Sequence, residues 1–210
     1  MVDAIDRLIT GFRRFRADYY EQRPGRMREL AEQGQSPEVM LIACSDSRVD
    51  PALVLDSEPG EIFVVRNVAN IVPPYGPDDG HYGTSAALEF AVRDLGVQHI
   101  IVLGHSDCGG IKALRAAVSG EPSQREFIKP WVEIVKAACR CGDGGAVPDQ
   151  PDVEQAAIRL SLGNLETFPW IAAKIASGEI QLHGWWIDLE NGRLFAVDPD
   201  KIEISEIVGG

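Results

Sequence analysis

Three short runs of almost uninterrupted apolar residues alternate with amphipathic segments along the first half of the chain. The runs are VMLIA ahead of Cys44, EIFVVRN at 61–67 and HIIVLG at 99–104. Such runs are typical of strands that are buried on both faces of a parallel sheet. Apolar residues at helical spacing predict helices over 1–20, 27–33, 83–96, 111–119, 125–138 and 152–166. The pattern therefore predicts an α/β fold with a mainly parallel central sheet flanked by helices.

The two ends of the chain carry patterns of their own. Near the C-terminus, two strand-like runs flank Asn191-Gly192, a dipeptide that predicts the turn of a β-hairpin. Near the N-terminus, one side of the first predicted helix is apolar, through Ile5, Leu8, Ile9, Phe12 and Phe15. The length of 210 residues suits one large domain, so we expect a single domain over 1–210 that begins with a helical arm.

Composition and charge narrow the classes of function. The net charge of −12 argues against nucleic acid or an anionic membrane as a partner, because both would be repelled. The sequence contains no apolar stretch of the roughly 18 residues that a membrane-spanning helix needs, and its N-terminus lacks the order of a secretory signal. We therefore expect a cytoplasmic protein. Its four cysteines are too few for a disulfide scaffold, which leaves metal binding, catalysis or burial as their roles.

Cysteine and histidine residues follow two of the predicted strands. Cys44 ends the first strand, and the third strand runs into GHSDCGG, which contains His105 and Cys108. In open α/β sheets, ligands bind beyond the carboxyl ends of the strands. If the two strands are neighbours, the three side chains converge on one edge as a Cys₂His set, which suits zinc. Three strong ligands leave the fourth tetrahedral position open, as in a catalytic zinc site.

Asp46 and Arg48 follow Cys44 at intervals of two residues, so an extended segment would place all three side chains on one face. As a surface ion pair they would contribute only ~0–1 kcal/mol to stability. Beside zinc, Asp46 would accept the proton of a bound water or bind the metal itself, and Arg48 would hold Asp46 away from it. Bound water has a pKa of ~7 with three imidazole ligands and ~9 in aqueous zinc. Because two thiolates neutralise the ion, we expect activity that rises with pH above neutrality.

Two other roles for Cys44 are open at this point. In a phosphatase-like loop the arginine would follow the cysteine by six residues, whereas Arg48 follows by four. Cys44 would also be able to pair with His105 as a thiolate–imidazolium nucleophile, although that arrangement leaves Cys108 without a role.

Five segments together resemble the plant-like branch of the β-class carbonic anhydrases, in a bacterial-looking form. They are ACSDSRVDP, FVVRNVANIVPPY, GTSAALEFAV, GHSDCGGIKAL and LHGWWIDLENGRL, and the resemblance covers roughly residues 25 to 200. It implies reversible hydration of CO₂ to bicarbonate and a proton, by attack of zinc-bound hydroxide. It also implies that one zinc ion per chain is bound by Cys44, His105 and Cys108, and that Asp46 and Arg48 form the catalytic pair.

The resemblance implies a substrate pocket and an assembly as well. Gln35, Phe63 and Val68 match three residues of the family's pocket, and Phe90 stands where the family has a tyrosine. Family members form dimers, and often dimers of dimers, by exchanging N-terminal helices, so residues 1–34 are expected to be the exchanged arm. In some bacterial members a tryptophan three residues before the first cysteine contributes to an inhibitory bicarbonate site. Here that position is Leu41, so we expect no such site and expect Asp46 to stay off the zinc.

Two competing functions remain from the sequence. An enzyme of the same scaffold that hydrolyses CS₂ or COS would use the same ligands. A zinc-binding regulatory or structural protein would keep the ligands but would not need Asp46 and Arg48. Arg66 also matches a family arginine, to which we assign a structural salt bridge.

Overall fold

The structure is a computed structural model that describes residues 3–77, 82–122, 125–140 and 146–208. In this part of the chain, six strands form one sheet: β1 Val39–Cys44, β2 Ile62–Asn67, β3 His99–His105, β4 Gln181–Asp188, β5 Arg193–Ala196 and β6 Ser205–Val208. The strand order is β2-β1-β3-β4-β5-β6. The first four strands are mutually parallel, while β5 and β6 are antiparallel to their neighbours. The predicted α/β fold with a mainly parallel sheet is therefore confirmed.

The helices follow the predicted order with different ends. They are α1 Ala4–Arg16, α2 Pro24–Gln33, α3 Pro51–Val54, α4 Gly83–Glu89, α5 Gly109–Val118, α6 Ile128–Glu133, α7 Gln150–Glu166 and α8 Pro169–Ala176. Helices α1 and α4 each continue into a π-helical turn, at Ala17–Gln22 and Phe90–Leu95. The helix predicted over 125–138 is shorter than expected, because α6 ends at Glu133 and a 3₁₀ turn occupies Lys136–Cys139. Among the described helices, none is long and apolar enough to cross a membrane.

The core lies on both faces of the parallel strands. On one face, side chains of β1 and β3 pack with α4, α7 and α8; its fully buried members include Met40, Ile42, Leu88, Ile100, Ile158 and Leu165. A second cluster lies around the carboxyl ends of β1 and β3, where α5, α6 and α7 meet; it includes Cys44, Cys108, Ile111, Leu114 and Val153. This second cluster therefore surrounds the edge at which the predicted metal ligands lie.

Two glycines let α7 approach the sheet closely. A Cβ atom at Gly184 in β4 would lie 2.6 Å from the carbonyl oxygen of Val197 and 2.9 Å from Cγ2 of Ile158. A Cβ atom at Gly104 in β3 would lie 2.7 Å from Cδ1 of the same isoleucine. Because both strand positions lack a side chain, α7 can pack directly over β3 and β4, and its first turns reach the carboxyl edge of the sheet.

Helix α1 lies apart from this core. It has no buried residue, and its apolar side chains are largely exposed, at 59% for Ile5, 71% for Leu8 and 62% for Phe12. The predicted amphipathic helix is therefore present, but its apolar face is not covered by the described part of the same chain. At the other end of the chain, β4 and β5 form the predicted hairpin, with Gly192 at a φ of 64° in its turn.

Candidate metal centre

Three ligand residues meet at the carboxyl edge of the parallel sheet. Cys44 is the last residue of β1, His105 is the last residue of β3, and Cys108 immediately precedes α5. Since β1 and β3 are adjacent and parallel, their carboxyl ends bring the three side chains together, as the sequence predicts. All three residues are buried, and their ligand atoms lie within 4.8 Å of one another.

The spacing of the two sulfurs fits a zinc ion. Zinc–sulfur bonds of about 2.3 Å at a tetrahedral angle separate two thiolate sulfurs by about 3.8 Å. The Sγ atoms of Cys44 and Cys108 are 3.9 Å apart. The pair therefore already has the separation that shared coordination of one zinc ion requires.

The imidazole of His105 is oriented for the same role. Its Nδ1 lies 2.8 Å from the carbonyl oxygen of Ser106, and because a carbonyl only accepts, Nδ1 carries the proton and donates it. Nε2 then presents a lone pair, yet it is buried and has no hydrogen-bond partner among the described residues. Buried polar atoms without a partner are costly, and a cation bound between His105 and the thiols satisfies this one.

The pKa values of the two thiols are shifted in opposite directions. The hydrogen bond from Cys108 lowers the pKa of Cys44, so Cys44 is the first to ionise. The same hydrogen bond raises the pKa of Cys108, because a thiolate there would lie beside that of Cys44. Burial raises the pKa of Cys108 further. Zinc binding requires both thiolates and supplies the positive charge that stabilises them. The chemistry of the donor set therefore fits zinc.

Asp46 and Arg48 form a two-pronged ion pair beside the ligands. Nε of Arg48 donates to Oδ1 of Asp46 at 2.9 Å, and Nη2 donates to Oδ2 at 2.8 Å. The backbone N–H of Arg48 also donates to Oδ1, at 2.9 Å. These hydrogen bonds, led by that of the guanidinium, hold the pKa of Asp46 well below its usual range. Oδ2 of Asp46 lies 4.0 Å from Nε2 of His105, so an ionised carboxylate faces the ligand cluster.

Arg66 in β2 holds the segment that carries these residues. Its guanidinium donates to the carbonyl oxygen of Cys44 at 3.0 Å and to that of Asp46 at 2.7 Å. It also forms a salt bridge with Asp50, at 2.6 Å. The salt bridge assigned to Arg66 is thus present, and the arginine additionally fixes the backbone on both sides of Ser45.

The four residues assigned to the substrate pocket fall into separate places in one chain. Val68 packs against the buried cluster that contains Cys44 and Cys108. Phe63 packs against the other core cluster, and Phe90 lies beside it, with the two ring centroids 5.8 Å apart. Gln35 is exposed between α2 and β1. The chain alone therefore does not gather these four residues around the ligands.

Strand geometry explains the separation. Phe63 pairs with Met40, whereas Cys44 pairs with Asn67, four residues further along β2. At about 3.3 Å per residue, Phe63 lies roughly 13 Å from the ligand edge along the strand. Phe90, which is 45% exposed, lies beside Phe63.

Two residues of α7 that the sequence analysis did not single out contact Cys108. Oε1 of Glu154 accepts the backbone N–H of Cys108 at 2.8 Å, and Nε2 of Gln150 donates to the Cys108 carbonyl oxygen at 3.1 Å. Burial raises the pKa of Glu154, an effect opposed by the hydrogen bonds that its carboxylate accepts from Cys108, Gln150 and Trp186. A signal was available in the sequence, because Glu154 interrupts the apolar side of a helix between Val153 and Ala157.

Comparison with known proteins identifies the family. The sequence profile of the family described as carbonic anhydrase matches residues 39–194. The chain is 40% identical to a carbonic anhydrase of Pseudomonas aeruginosa over 195 residues, which span 91% of this chain and 86% of that protein. Among solved structures, it is similar to the β-carbonic anhydrase CcaA, with a TM-score of 0.86 and 34% identity, over 97% of this chain and all of the other.

A tetrameric β-carbonic anhydrase of the fungus Sordaria macrospora is similar as well. Its TM-score is 0.75 at 27% identity, and the match covers 97% of this chain and 96% of the other. Family profile, relatives and fold agree with the cysteine–histidine–cysteine cluster at the sheet edge. The chain belongs to the β-class carbonic anhydrases, zinc enzymes that hydrate carbon dioxide reversibly to bicarbonate and a proton.

Proposed function

We propose that Cys44, His105 and Cys108 together hold the catalytic zinc ion, one per chain, and that CO₂ is hydrated at this edge of the sheet. The observation that carries the proposal is the buried, unpartnered Nε2 of His105 beside two sulfurs 3.9 Å apart. Zinc held there would lower the pKa of a coordinated water and so supply a nucleophile for CO₂, increasingly as the pH rises above neutrality.

Asp46 is proposed to accept a hydrogen bond from the nucleophilic water and so to orient it. Its carboxylate is ionised because Arg48 lowers its pKa, and it is positioned because Arg48 contacts both oxygens. The same contacts would keep Asp46 off the metal, in the open arrangement expected from the sequence. Leu41, at the position where some relatives have a tryptophan, is fully buried in the core, which supports the expected lack of a bicarbonate site there.

The substrate pocket is proposed to form across a dimer interface. Val68 lies beside the ligands of its own chain, whereas the Phe63–Phe90 pair is too far along β2 to reach them. The aromatic pair, with Gln35, would therefore line the site of a second copy. There the two rings would provide an apolar wall for CO₂, and the Gln35 amide would donate a hydrogen bond to a substrate oxygen.

The helical arm, residues 1–34, is proposed to hold the dimer together by exchange between subunits. The exposed apolar face of α1 supports this, because a helix that leaves such a face uncovered is unstable alone in water. Dimers of dimers are the larger assembly that we propose, and the relative from Sordaria macrospora is tetrameric.

Charged substitutions on the apolar face, Leu8→Asp with Phe12→Asp, should release monomers in size-exclusion chromatography with light scattering. Arg14→Asp, on the solvated side, should leave the assembly intact, and equal behaviour of the two variants would refute the exchanged arm.

Serine substitution of one thiol ligand tests the metal assignment. Cys108→Ser should lose most of its zinc and its CO₂ hydration, while the wild type keeps about one zinc per chain. The matched control is Cys139→Ser, because Cys139 is another buried cysteine that lies outside the ligand cluster. Full zinc and full hydration in Cys108→Ser would overturn the assignment. The wild type would be a CS₂ or COS hydrolase instead if it carries full zinc and hydrolyses CS₂ or COS but does not hydrate CO₂.

A further inference from the structure

The backbone of Cys108 is held on both sides by the first turns of α7. Its N–H donates to Oε1 of Glu154 at 2.8 Å, and its carbonyl oxygen accepts from Nε2 of Gln150 at 3.1 Å. Gln150 and Glu154 are four residues apart and therefore share one face of the helix. Nε2 of Gln150 also donates to Oε1 of Glu154 at 2.7 Å, which joins the two side chains into one clamp.

Glu154 is the one acidic side chain among the residues of this network, and it is buried. It is only 3% exposed, and its second oxygen accepts from Nε1 of Trp186 at 3.1 Å. Its three neighbours, the Cys108 amide, the Gln150 amide and the Trp186 indole, all donate. A group that accepts on both oxygens is therefore required here, and a carboxylate meets the requirement where an amide does not.

The conformation before Cys108 shows why the backbone needs support. Asp107 has a φ of 61°, in the left-handed region that non-glycine residues rarely adopt. Cys108 then turns into α5, so the direction of its Sγ depends on how the loop is held between Asp107 and the helix. Of the described residues, Glu154 and Gln150 are those whose side chains hydrogen-bond to the Cys108 backbone.

We propose that Glu154, together with Gln150, is a positioning residue for the zinc ligand Cys108. The inference rests on the proposed function, because it presumes that Cys108 binds the metal. The carboxylate of Glu154 fixes the Cys108 amide, the Gln150 amide fixes the carbonyl, and Trp186 fixes the carboxylate. Sγ of Cys108 is thereby held 3.9 Å from Sγ of Cys44.

Glu154→Gln is the discriminating substitution because it conserves size. Its amide oxygen still accepts from Cys108, but its NH₂ group then faces the Trp186 indole N–H, donor against donor. The glutamine can relieve this clash only by releasing Cys108 or by moving α7. Loss of a partner that orients a metal ligand typically weakens metal affinity about 10–100-fold, and we expect a loss in this range.

The test measures cobalt and zinc affinity by competition with a chelator, and the cobalt–thiolate absorption spectrum, on the full chain. Glu154→Gln should weaken both affinities and alter the spectrum. Trp186→Phe removes the opposing donor, so the double variant Glu154→Gln/Trp186→Phe should recover most of the affinity and the wild-type spectrum. Glu166→Gln is the matched control, because it removes an exposed charge at the far end of the same helix.

Three outcomes separate the inference from the proposed function. Wild-type affinity and spectrum in Glu154→Gln, or no recovery in the double variant, overturns the positioning role. If Glu154→Gln does not fold, Gln150→Leu tests the clamp from the carbonyl side, and an unchanged cobalt spectrum there overturns it too. A wild type that binds neither metal refutes the proposed metal site itself, and with it the positioning role of Glu154.

Discussion

Removing the guanidinium of Arg48 should impair hydration while leaving the zinc in place. In Arg48→Ala, Asp46 loses two hydrogen bonds of 2.8 and 2.9 Å and keeps only the backbone N–H of residue 48. A hydrogen bond to a charged group contributes about 1.5–3 kcal/mol. Arg48 is 48% exposed, so water replaces much of that, and we take about 1–2 kcal/mol for the pair. The preference of Asp46 for its present position then falls about 5–30-fold.

The freed carboxylate has a short way to travel. Its Oδ2 is 4.0 Å from Nε2 of His105, so a small rotation brings it to a metal ion bound by that nitrogen. Asp46 would then occupy the open coordination position, and we expect the hydration rate to fall by up to about 5–30-fold, the limit reached when the closed position dominates.

Stopped-flow CO₂ hydration, normalised to measured zinc, is the assay for Arg48→Ala. Arg48→Lys should be intermediate, because lysine keeps the charge but cannot contact both oxygens in the same plane. Asp46→Asn removes the carboxylate that accepts the hydrogen bond of the water and should cost more, about 10²–10⁴-fold. A zinc-loaded Arg48→Ala variant with the wild-type rate would refute the reasoning, since Asp46 would then need no support from Arg48.

Two further predictions concern stability. Gly184→Ala should lower the free energy of unfolding by about 1–3 kcal/mol, because its Cβ would lie 2.6 Å from a backbone oxygen; Gly163→Ala, with open space around it, should be neutral or stabilising by up to about 1 kcal/mol. Equal urea-unfolding curves for the two variants would contradict this. Burial and the nearby His99 lower the pKa of His183 in the folded chain. Below about pH 6.5 the unfolded chain therefore binds more protons than the folded chain, and the free energy of unfolding decreases as the pH falls. The melting temperature of His183→Gln should therefore fall less than that of the wild type between about pH 7.5 and 5.5. An equal fall would show that His183 does not contribute to the pH dependence of stability.

The metal ligands were predictable from sequence because a parallel sheet fixes where strand ends meet. Cys44 and His105 each end an apolar run, and their side chains meet because β1 and β3 are neighbouring parallel strands. The roles of Glu154 and Gln150 were not predictable in the same way. They depend on how closely α7 packs over Gly104 and Gly184, which periodicity does not report.

Other features escaped the sequence analysis for local reasons. Strand β6, Ser205–Val208, is exposed along its length and has no apolar alternation to predict it. The predicted helix over 125–138 shortens to α6 where Trp131 donates its indole N–H to the carbonyl oxygen of Val68, at 2.7 Å. The pocket residues matched the family by position, but position in the sequence does not tell which subunit each one serves.

Carbonic anhydrase activity at this metal centre is best tested by the rate of CO₂ hydration as a function of pH, on protein with its zinc per chain quantified. We expect about one zinc per chain and fast hydration that rises towards alkaline pH, because two thiolates leave the metal a weaker acid than three imidazoles would. Full zinc with negligible hydration would refute hydration at this centre, and a rate that is flat from pH 6 to 9 would refute the proposed source of the nucleophile.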